Sequence, residues 1–427
     1  MSNGRILFVT PQPFFCERGS PYRVRSEVAA LVAQGYDVDL LSYPIGRDIS
    51  MPGVRMFRSA RLPGLTDIPI GFSWRKLLLD LLLFVRMITL AVRNRYTAYH
   101  GVEEAGVMAA FLSFFSGVPY VYDMHSQMSE QLSQCVVRPG GLVHRLLERG
   151  EALCMRRAAG IVTVSDVITA RVRAIAPHVP AMTVEDLPLD AANLVKADQL
   201  SELRNRFEVD RRQLIVYTGN FEPYQGMDLL FDGFAELCNQ LTNGARVMQK
   251  RPFLIVVGGG ETTSPRFRFY REMVQRLGIE EFVHFAGQQD EGAVGCFLSI
   301  ADVVVSPRIA GAHTPLKIYS YMAARRAIVA TKIAAHTNVL DDSNAFLADA
   351  QPAAFAAALF ASLEDSDIGL TRREQRVRNA EQLLEKRFNK AEFERRLGVL
   401  YRAVRGEDLS DEVLQSPETL ELRQRRA

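Results

Sequence analysis

Short, almost wholly apolar runs separated by helix-length segments recur from one end of this chain to the other. In the first part they are Arg5–Thr10, Tyr36–Tyr43, Val54–Arg58, Ala98–Gly101, Tyr120–Asp123 and Gly160–Val164. In the second they are Leu214–Thr218, Phe253–Val257, Val283–Ala286, Ala301–Ser306, Ala327–Ala330 and Ala345–Ala348. A strand apolar at nearly every position is buried on both faces, as in a parallel sheet covered by crossover helices. Tyr22–Gln34, which stops at Gly35, Ala105–Phe115 and Leu142–Arg157 read as such helices. A length of 427 residues exceeds one ordinary core and points to two units. Leu-Pro-Leu-Asp at Leu187–Asp190 and the charged Asp198–Arg206 mark the crossing. The expected division is residues 1–190, residues 191–400, and a polar tail over 401–427.

Lys and Arg total 51 against 49 Asp and Glu, a balance that argues against a general nucleic-acid binder. Five cysteines, Cys16, Cys135, Cys154, Cys238 and Cys296, lie scattered without CxxC spacing, so neither a disulfide framework nor a zinc site is indicated. The cysteine usage and the polar start, with no secretory-signal pattern, lead us to expect a cytoplasmic protein. The strongest apolar run, Leu77–Val92, is interrupted by Asp80 and Arg86 and is too short and too charged to span a bilayer. Its apolar residues cover most of a helix circumference. Two readings fit: a core helix shielded by neighbours, or a helix in a membrane interface with Trp74 and the flanking Arg75, Lys76, Arg93 and Arg95 at headgroup level.

Loops after strands carry the chemistry. Two doubly wound sheets offer ligand positions at the carboxyl ends of their strands. Tyr217-Thr-Gly-Asn-Phe-Glu-Pro-Tyr-Gln-Gly226 places Gly219 where a backbone can approach a ligand closely. Val256-Val-Gly-Gly-Gly-Glu261 ends a strand in three glycines, without the Gly-Lys-Ser/Thr of a Walker loop. Phe285-Ala-Gly-Gln288 follows another strand and can offer backbone groups to a flat base. His313–Thr331 puts Pro315 at the first turn of a helix directly after a strand, so free N–H groups and a positive dipole end can hold a phosphate.

In this order these segments resemble the donor half of the retaining GT-B glycosyltransferases of family four, whose members commonly read Thr-Pro-x-Lys-x-x-Glu-Tyr-Met-Ala at the last site. The first part is similar to the acceptor half, through Arg18-Gly-Ser-Pro21, His100-Gly-Val-Glu-Glu104 and Val121-Tyr-Asp-Met-His-Ser126. The resemblance covers the chain to about residue 400. It implies an α/β GT-B fold, with two Rossmann-like domains facing each other across a cleft. It also implies transfer of a sugar from a nucleotide-diphosphate sugar with retention of anomeric configuration and without a bound metal. Carried over by position, the donor side comprises Gly19, Ser20, Gly219, Asn220, Gln225, Gly259, Gly260, Gly287, Arg308, Thr314, Leu316, Lys317 and Ser320. His125, Glu103 and Asp123 are the catalytic candidates, with His125 accepting the acceptor's proton, and His100 and Glu104 are candidates for acceptor binding.

The chain also departs from the family pattern. Many relatives carry Arg and Lys where this chain has Asn220 and Gln225, and two acidic residues where it has Ala312 and Ser320. Asn, Gln and Ser keep hydrogen-bonding capacity, which suits altered donor handling. The expected acceptor is a lipid, a lipid-linked oligosaccharide or a polysaccharide precursor, met at the inner face of the cytoplasmic membrane through Leu77–Val92. A catalytically silent sugar-nucleotide-binding partner and a nucleotide-sugar epimerase on the same scaffold are the alternatives.

Overall fold

A computed structural model of the chain describes residues 3–16, 19–61, 74–126, 141–189, 195–311 and 313–407. Two compact units divide it. The first holds the chain to Glu185 together with the stretch from Lys390 onward, and the second holds Asp186–Asn389.

The first unit is built on seven parallel strands: β1 (Arg5–Thr10), β2 (Asp37–Ser42), β3 (Val54–Arg58), β4 (Ala98–Val102), β5 (Tyr120–Met124), β6 (Gly160–Thr163) and β7 (Ala181–Thr183). They are ordered β3-β2-β1-β4-β5-β6-β7. All follow from the apolar runs except β7, a three-residue edge strand too short to show a pattern. Alternate side chains divide between two layers. Leu7, Val9, Tyr99, Tyr122 and Ile161 share a core with the helices Trp74–Arg93, Glu104–Ser116 and Leu142–Arg157. On the opposite face Phe8 stacks on His100 at 4.1 Å, beneath the helices Gly19–Ala33 and Lys390–Val404.

That last helix corrects the expected division. Residues 390–400 were placed with the second domain, but Lys390–Val404 returns to the first unit, where Leu397, Leu400 and Tyr401 are buried and Arg396 pairs with Glu185 at 2.6 Å. Residues 401–404 continue it, and the rest of the expected tail from 408 lies outside the described residues.

The second unit has six parallel strands: β8 (Arg212–Gly219), β9 (Arg251–Gly258), β10 (Val283–Gly287), β11 (Val303–Ser306), β12 (Ala327–Thr331) and β13 (Phe346–Ala348). Their order is β10-β9-β8-β11-β12-β13. From β8 the chain winds outward through β9 and β10, then returns to place β11 on the other side. This reversal opens a crevice beyond the carboxyl ends of β8 and β11, where ligands of such sheets bind.

Helix Trp74–Arg93 packs by one stripe, Leu79, Leu83, Met87 and Leu90, all buried. Leu77, Leu81, Val85 and Val92 remain exposed, so neighbours do not shield it all round. The Trp74 side chain lies outside the described residues. Among the described residues no helix is long and apolar enough to cross a membrane.

Candidate functional site

In the second unit, β8 ends at Gly219 and β11 at Ser306. Gly219 has φ 146°, and a Cβ there would lie 2.7 Å from Lys317 Nζ. Only glycine therefore leaves the ammonium its place. Lys317 is the second residue of the helix Leu316–Ala323, whose first amides have no acceptor within the helix. Pro315 occupies the cap position, one residue earlier than the sequence suggested. Lys317 Nζ donates to Gln225 Oε1 at 3.0 Å and lies 4.2 Å from the Tyr217 ring centroid. Gln225 sits in the single turn Pro223–Gln225, fixed by its N–H bond to Glu222 O at 2.8 Å.

Arg308 follows β11, buried, with its guanidinium 4.9 Å from the Tyr224 ring centroid and Nε donating to Ala310 O at 2.6 Å. Burial, with Arg308 adding to it, holds the Lys317 ammonium well below the usual lysine range. Burial lowers Arg308 too. Among the described residues neither cation pairs with a carboxylate. A desolvated cation in the first turn of a helix, with a second buried cation near it, is an arrangement that can hold an anion.

Other expected donor residues take varied places. Gly259 N–H bonds Gly219 O at 2.8 Å, and a Cβ on Gly259 would strike the Phe221 ring, so this glycine seats the loop against its neighbour. Gly260 faces open space, and Gly287, with φ 69°, ends β10. Thr314 is buried and Leu316 half-buried at the helix start. The exposed Asn220 turns its Oδ1 onto Glu222 N–H at 3.2 Å. Ser320 Oγ accepts from Leu189 N–H at 3.1 Å and lies 3.4 Å from Leu316 O. Its hydroxyl thus ties down the 186–189 segment, and the ribose contact expected of it competes with that bond. Ala312 lies outside the described residues.

In the first unit, Asp123 at the end of β5 gathers a buried cluster. His125 Nε2 lies 2.9 Å from Asp123 Oδ2 and 3.1 Å from Arg23 Nε. One ring nitrogen cannot donate to the carboxylate and accept from the guanidinium together. Protonated, it is held by Asp123; neutral, by Arg23. Burial works against the charged imidazole, but the Asp123 carboxylate outweighs it and lifts His125 to about 9. Asp123, which burial alone would raise, is held well below its usual range by His125 and Arg23. Arg23 Nη2 also meets Glu27 at 2.8 Å, and burial pushes Glu27 up to about 8 against that pull.

Glu27, Asp123 and His125 each place a ligand atom within 4.8 Å of the others, a set able to hold a metal ion, but the Arg23 guanidinium already supplies a cation there. Glu103 begins the helix Glu104–Ser116 at φ 48°, its N–H on Asp123 O at 2.8 Å and its carboxylate accepting from Ser126 Oγ at 2.8 Å.

Residues 212–365 match the family described as glycosyl transferases group 1, and residues 18–188 match the one described as glycosyl transferase 4-like domain. The chain belongs to the group 1 glycosyltransferases. An alpha-D-kanosaminyltransferase of Streptomyces kanamyceticus is 25% identical over 250 residues, a match spanning 57% of this chain and 60% of that one. Sucrose-phosphate synthase of Thermosynechococcus elongatus superposes with TM-score 0.72 at 18% identity, covering 95% of this chain and all of that one. Anabaena HepE, solved in complex with UDP-glucose, superposes with TM-score 0.67 at 17% identity, over 93% of this chain and 98% of that one. The fold is GT-B, with two parallel Rossmann-like sheets.

In this glycosyltransferase the two acceptor candidates are otherwise occupied. His100 is fully buried, its Nδ1 2.8 Å from Tyr401 Oη and its ring stacked on Phe8, so it offers an acceptor no surface. Glu104 forms an ion pair with Lys76. Raised to about 9 beside Asp123, the His125 ring favours its protonated, donating form, and the proton-accepting role expected of it belongs to the neutral form held by Arg23. Gly19 and Ser20 open the helix Gly19–Ala33 and are exposed, beside residues 17–18 outside the description.

Three functional neighbours escaped the sequence reading. Arg23 and Glu27 are opposite charges four apart on a helix, a spacing usually found on a solvated face. His336 is buried, bonded to Ser306 Oγ at 2.9 Å and Thr331 O at 2.8 Å, and braces the ends of β11 and β12 under Arg308. Burial lowers it to about 4, so it is neutral: Nδ1–H donates to Thr331 O and Nε2 accepts from Ser306.

Proposed function

We propose that this glycosyltransferase moves a sugar from a nucleotide-diphosphate sugar to a hydroxyl acceptor, with retention of anomeric configuration as the family resemblance implies. The observation that carries the reading is the Lys317 ammonium at a helix start, against Gly219 and near Arg308, with no acidic partner among the described residues. A diphosphate supplies the missing negative charge. As the bond from sugar to phosphate breaks, charge accumulates on the departing oxygen, and fixed cations and amides stabilise it without having to reorganise. The acceptor's proton passes to that oxygen. Charged His125, oriented by Asp123, donates to an oxygen of the sugar or the acceptor.

Asn220 and Gln225 supply fewer charges than the family pattern, so Lys317 and Arg308 carry the phosphate contact in this chain. A structurally similar protein supports the donor class: HepE is solved with UDP-glucose. The exposed Leu77, Leu81 and Val85 support an acceptor that is a lipid, is lipid-linked, or is a polysaccharide precursor. The test is incubation with a panel of nucleotide sugars and candidate acceptors, following nucleoside diphosphate release and the anomeric proton of the product by NMR. Retained configuration with release coupled to acceptor supports the reading. Interconversion of donor sugars without acceptor would make the protein an epimerase, and binding without turnover would make it a silent partner.

A further inference from the structure

The helices Trp74–Arg93, Glu104–Ser116 and Leu142–Arg157 lie side by side over one face of the first sheet, sharing the core that holds Leu83, Met87, Ala109, Leu112 and Met155. Phe84 and Phe111 meet at 5.6 Å between the first two, and the Arg157 guanidinium lies 5.9 Å from the Phe114 ring centroid between the second and third. Exposed apolar side chains stand on the outward surfaces of all three helices. Phe114 and Phe115 are 70% and 69% exposed, and Phe111 55%. Leu81 and Val85 add to these on the first helix, Leu142 and Leu146 on the third, all more than half exposed. Scattered exposed leucines are ordinary; three exposed phenylalanines within one 13-residue helix, flanked by two leucine-bearing helices, exceed that background.

The charges on these helices are one-sided. Arg75, Arg93, Arg145, Arg149, Arg156 and Arg157 are all exposed. Of the acids, Asp80 is bonded to Tyr43, Glu104 is paired with Lys76, and Glu151 is buried, which leaves Glu148 as the exposed one. Exposed rings and leucines that share three helices with exposed arginines match the boundary of an anionic bilayer, with the apolar side chains at the acyl level and guanidinium groups at the phosphates. A second copy in a two-fold contact would set the same arginines against each other. We propose that this three-helix face seats the enzyme on the surface of an anionic phospholipid bilayer. The seat is wider than the Leu77–Val92 helix alone and centres on Phe111, Phe114 and Phe115. This deepens the lipid-side acceptor reading and is independent of the donor site.

The test is co-sedimentation of the full chain with vesicles of phosphatidylcholine, with and without phosphatidylglycerol. The wild type is expected to pellet with the phosphatidylglycerol vesicles, less so as salt rises, and to stay largely in solution with phosphatidylcholine alone. Phe114→Ser/Phe115→Ser should weaken partitioning tenfold or more, and Arg145→Gln/Arg149→Gln should remove most of the dependence on phosphatidylglycerol. Both variants should keep the wild-type circular dichroism and nucleotide-diphosphate affinity, a control that separates loss of this face from failure of the donor reading. Wild type that ignores phosphatidylglycerol vesicles, or a double-serine variant that binds as well as wild type, overturns the proposal. So does a wild-type dimer that the serine variant dissociates without any vesicle binding, which would assign the face to a second copy.

Discussion

Lys317 Nζ rests 3.0 Å from the Gln225 amide oxygen, so a half-buried lysine that opens a helix has a neutral partner where a carboxylate would satisfy it more fully. The ammonium is thereby kept available to a ligand. Lys317→Met should weaken nucleoside diphosphate binding by roughly 10- to 150-fold, the effect of losing about 1.5–3 kcal/mol of charged hydrogen bonding. Because the variant also removes a desolvated charge, the ligand-free protein should melt no lower than wild type. Isothermal titration calorimetry and thermal melting read the two effects.

Asp123 orients and charges His125 while also facing Arg23. In Asp123→Asn the His125 ring should titrate below the ordinary 6.5 in place of about 9, visible in its NMR titration. Transfer should fall on the order of 10²-fold through the lost fixed charge. Stability should drop by about 3–5 kcal/mol, because Arg23 is left buried with too little opposing charge.

The shifted groups make stability fall on the alkaline side of pH 6.5. His125 is raised to about 9, so its contribution is whole below 6.5 and is lost as pH climbs through 9. Glu27, raised to about 8, favours the folded state in its protonated form and loses that contribution between 4.5 and 8. His100 and His336 are lowered, the latter to about 4, so what they contribute is present above 6.5 and lost as pH falls below it. Below 6.5 the lowered histidines are opposed by Glu27 and by Asp80, which burial raises to about 6, whereas between 6.5 and 9 His125 and Glu27 both lose their contributions. Melting temperature should therefore fall as pH rises from 6.5 to 9, and Asp123→Asn should flatten that alkaline limb.

Tyr401 links the returning C-terminal helix to the strand beneath the cluster through His100 Nδ1, 2.8 Å away. Tyr401→Phe leaves a buried ring nitrogen without its donor, at a cost of about 1–3 kcal/mol. Urea denaturation should show that loss, while the nucleotide affinity of the second unit stays as in wild type.

The parallel sheets were legible because each strand is a short apolar run with turn formers at its ends; Arg5–Thr10 and Val54–Arg58 matched to the residue. β7, at three residues, carries too little pattern to register. Lys317, Arg308, Gln225 and Gly219 were found through loops that follow strands, and the fold brings them together. The Arg23–Glu27 pair was not, since charges four apart on a helix look like surface until tertiary structure buries them. Nor does local sequence say that Lys390–Val404 packs on the unit it left two hundred residues earlier, because its amphipathic face fits any apolar partner. Ser320 shows the converse: its position suggested a ribose contact, and a backbone N–H from Leu189 claims its oxygen.

If Gly219, Gln225, Arg308 and Lys317 hold a nucleoside diphosphate, a matching donor must stabilise the folded protein. Binding to the native state alone raises the melting temperature in proportion to RT ln(1 + [L]/Kd), so a thermal-shift series with uridine, guanosine and adenosine diphosphate sugars tests it directly. A concentration-dependent rise is expected with at least one of them, abolished or sharply reduced by Lys317→Met. No rise with any donor, or an equal rise in the variant, would contradict this donor site.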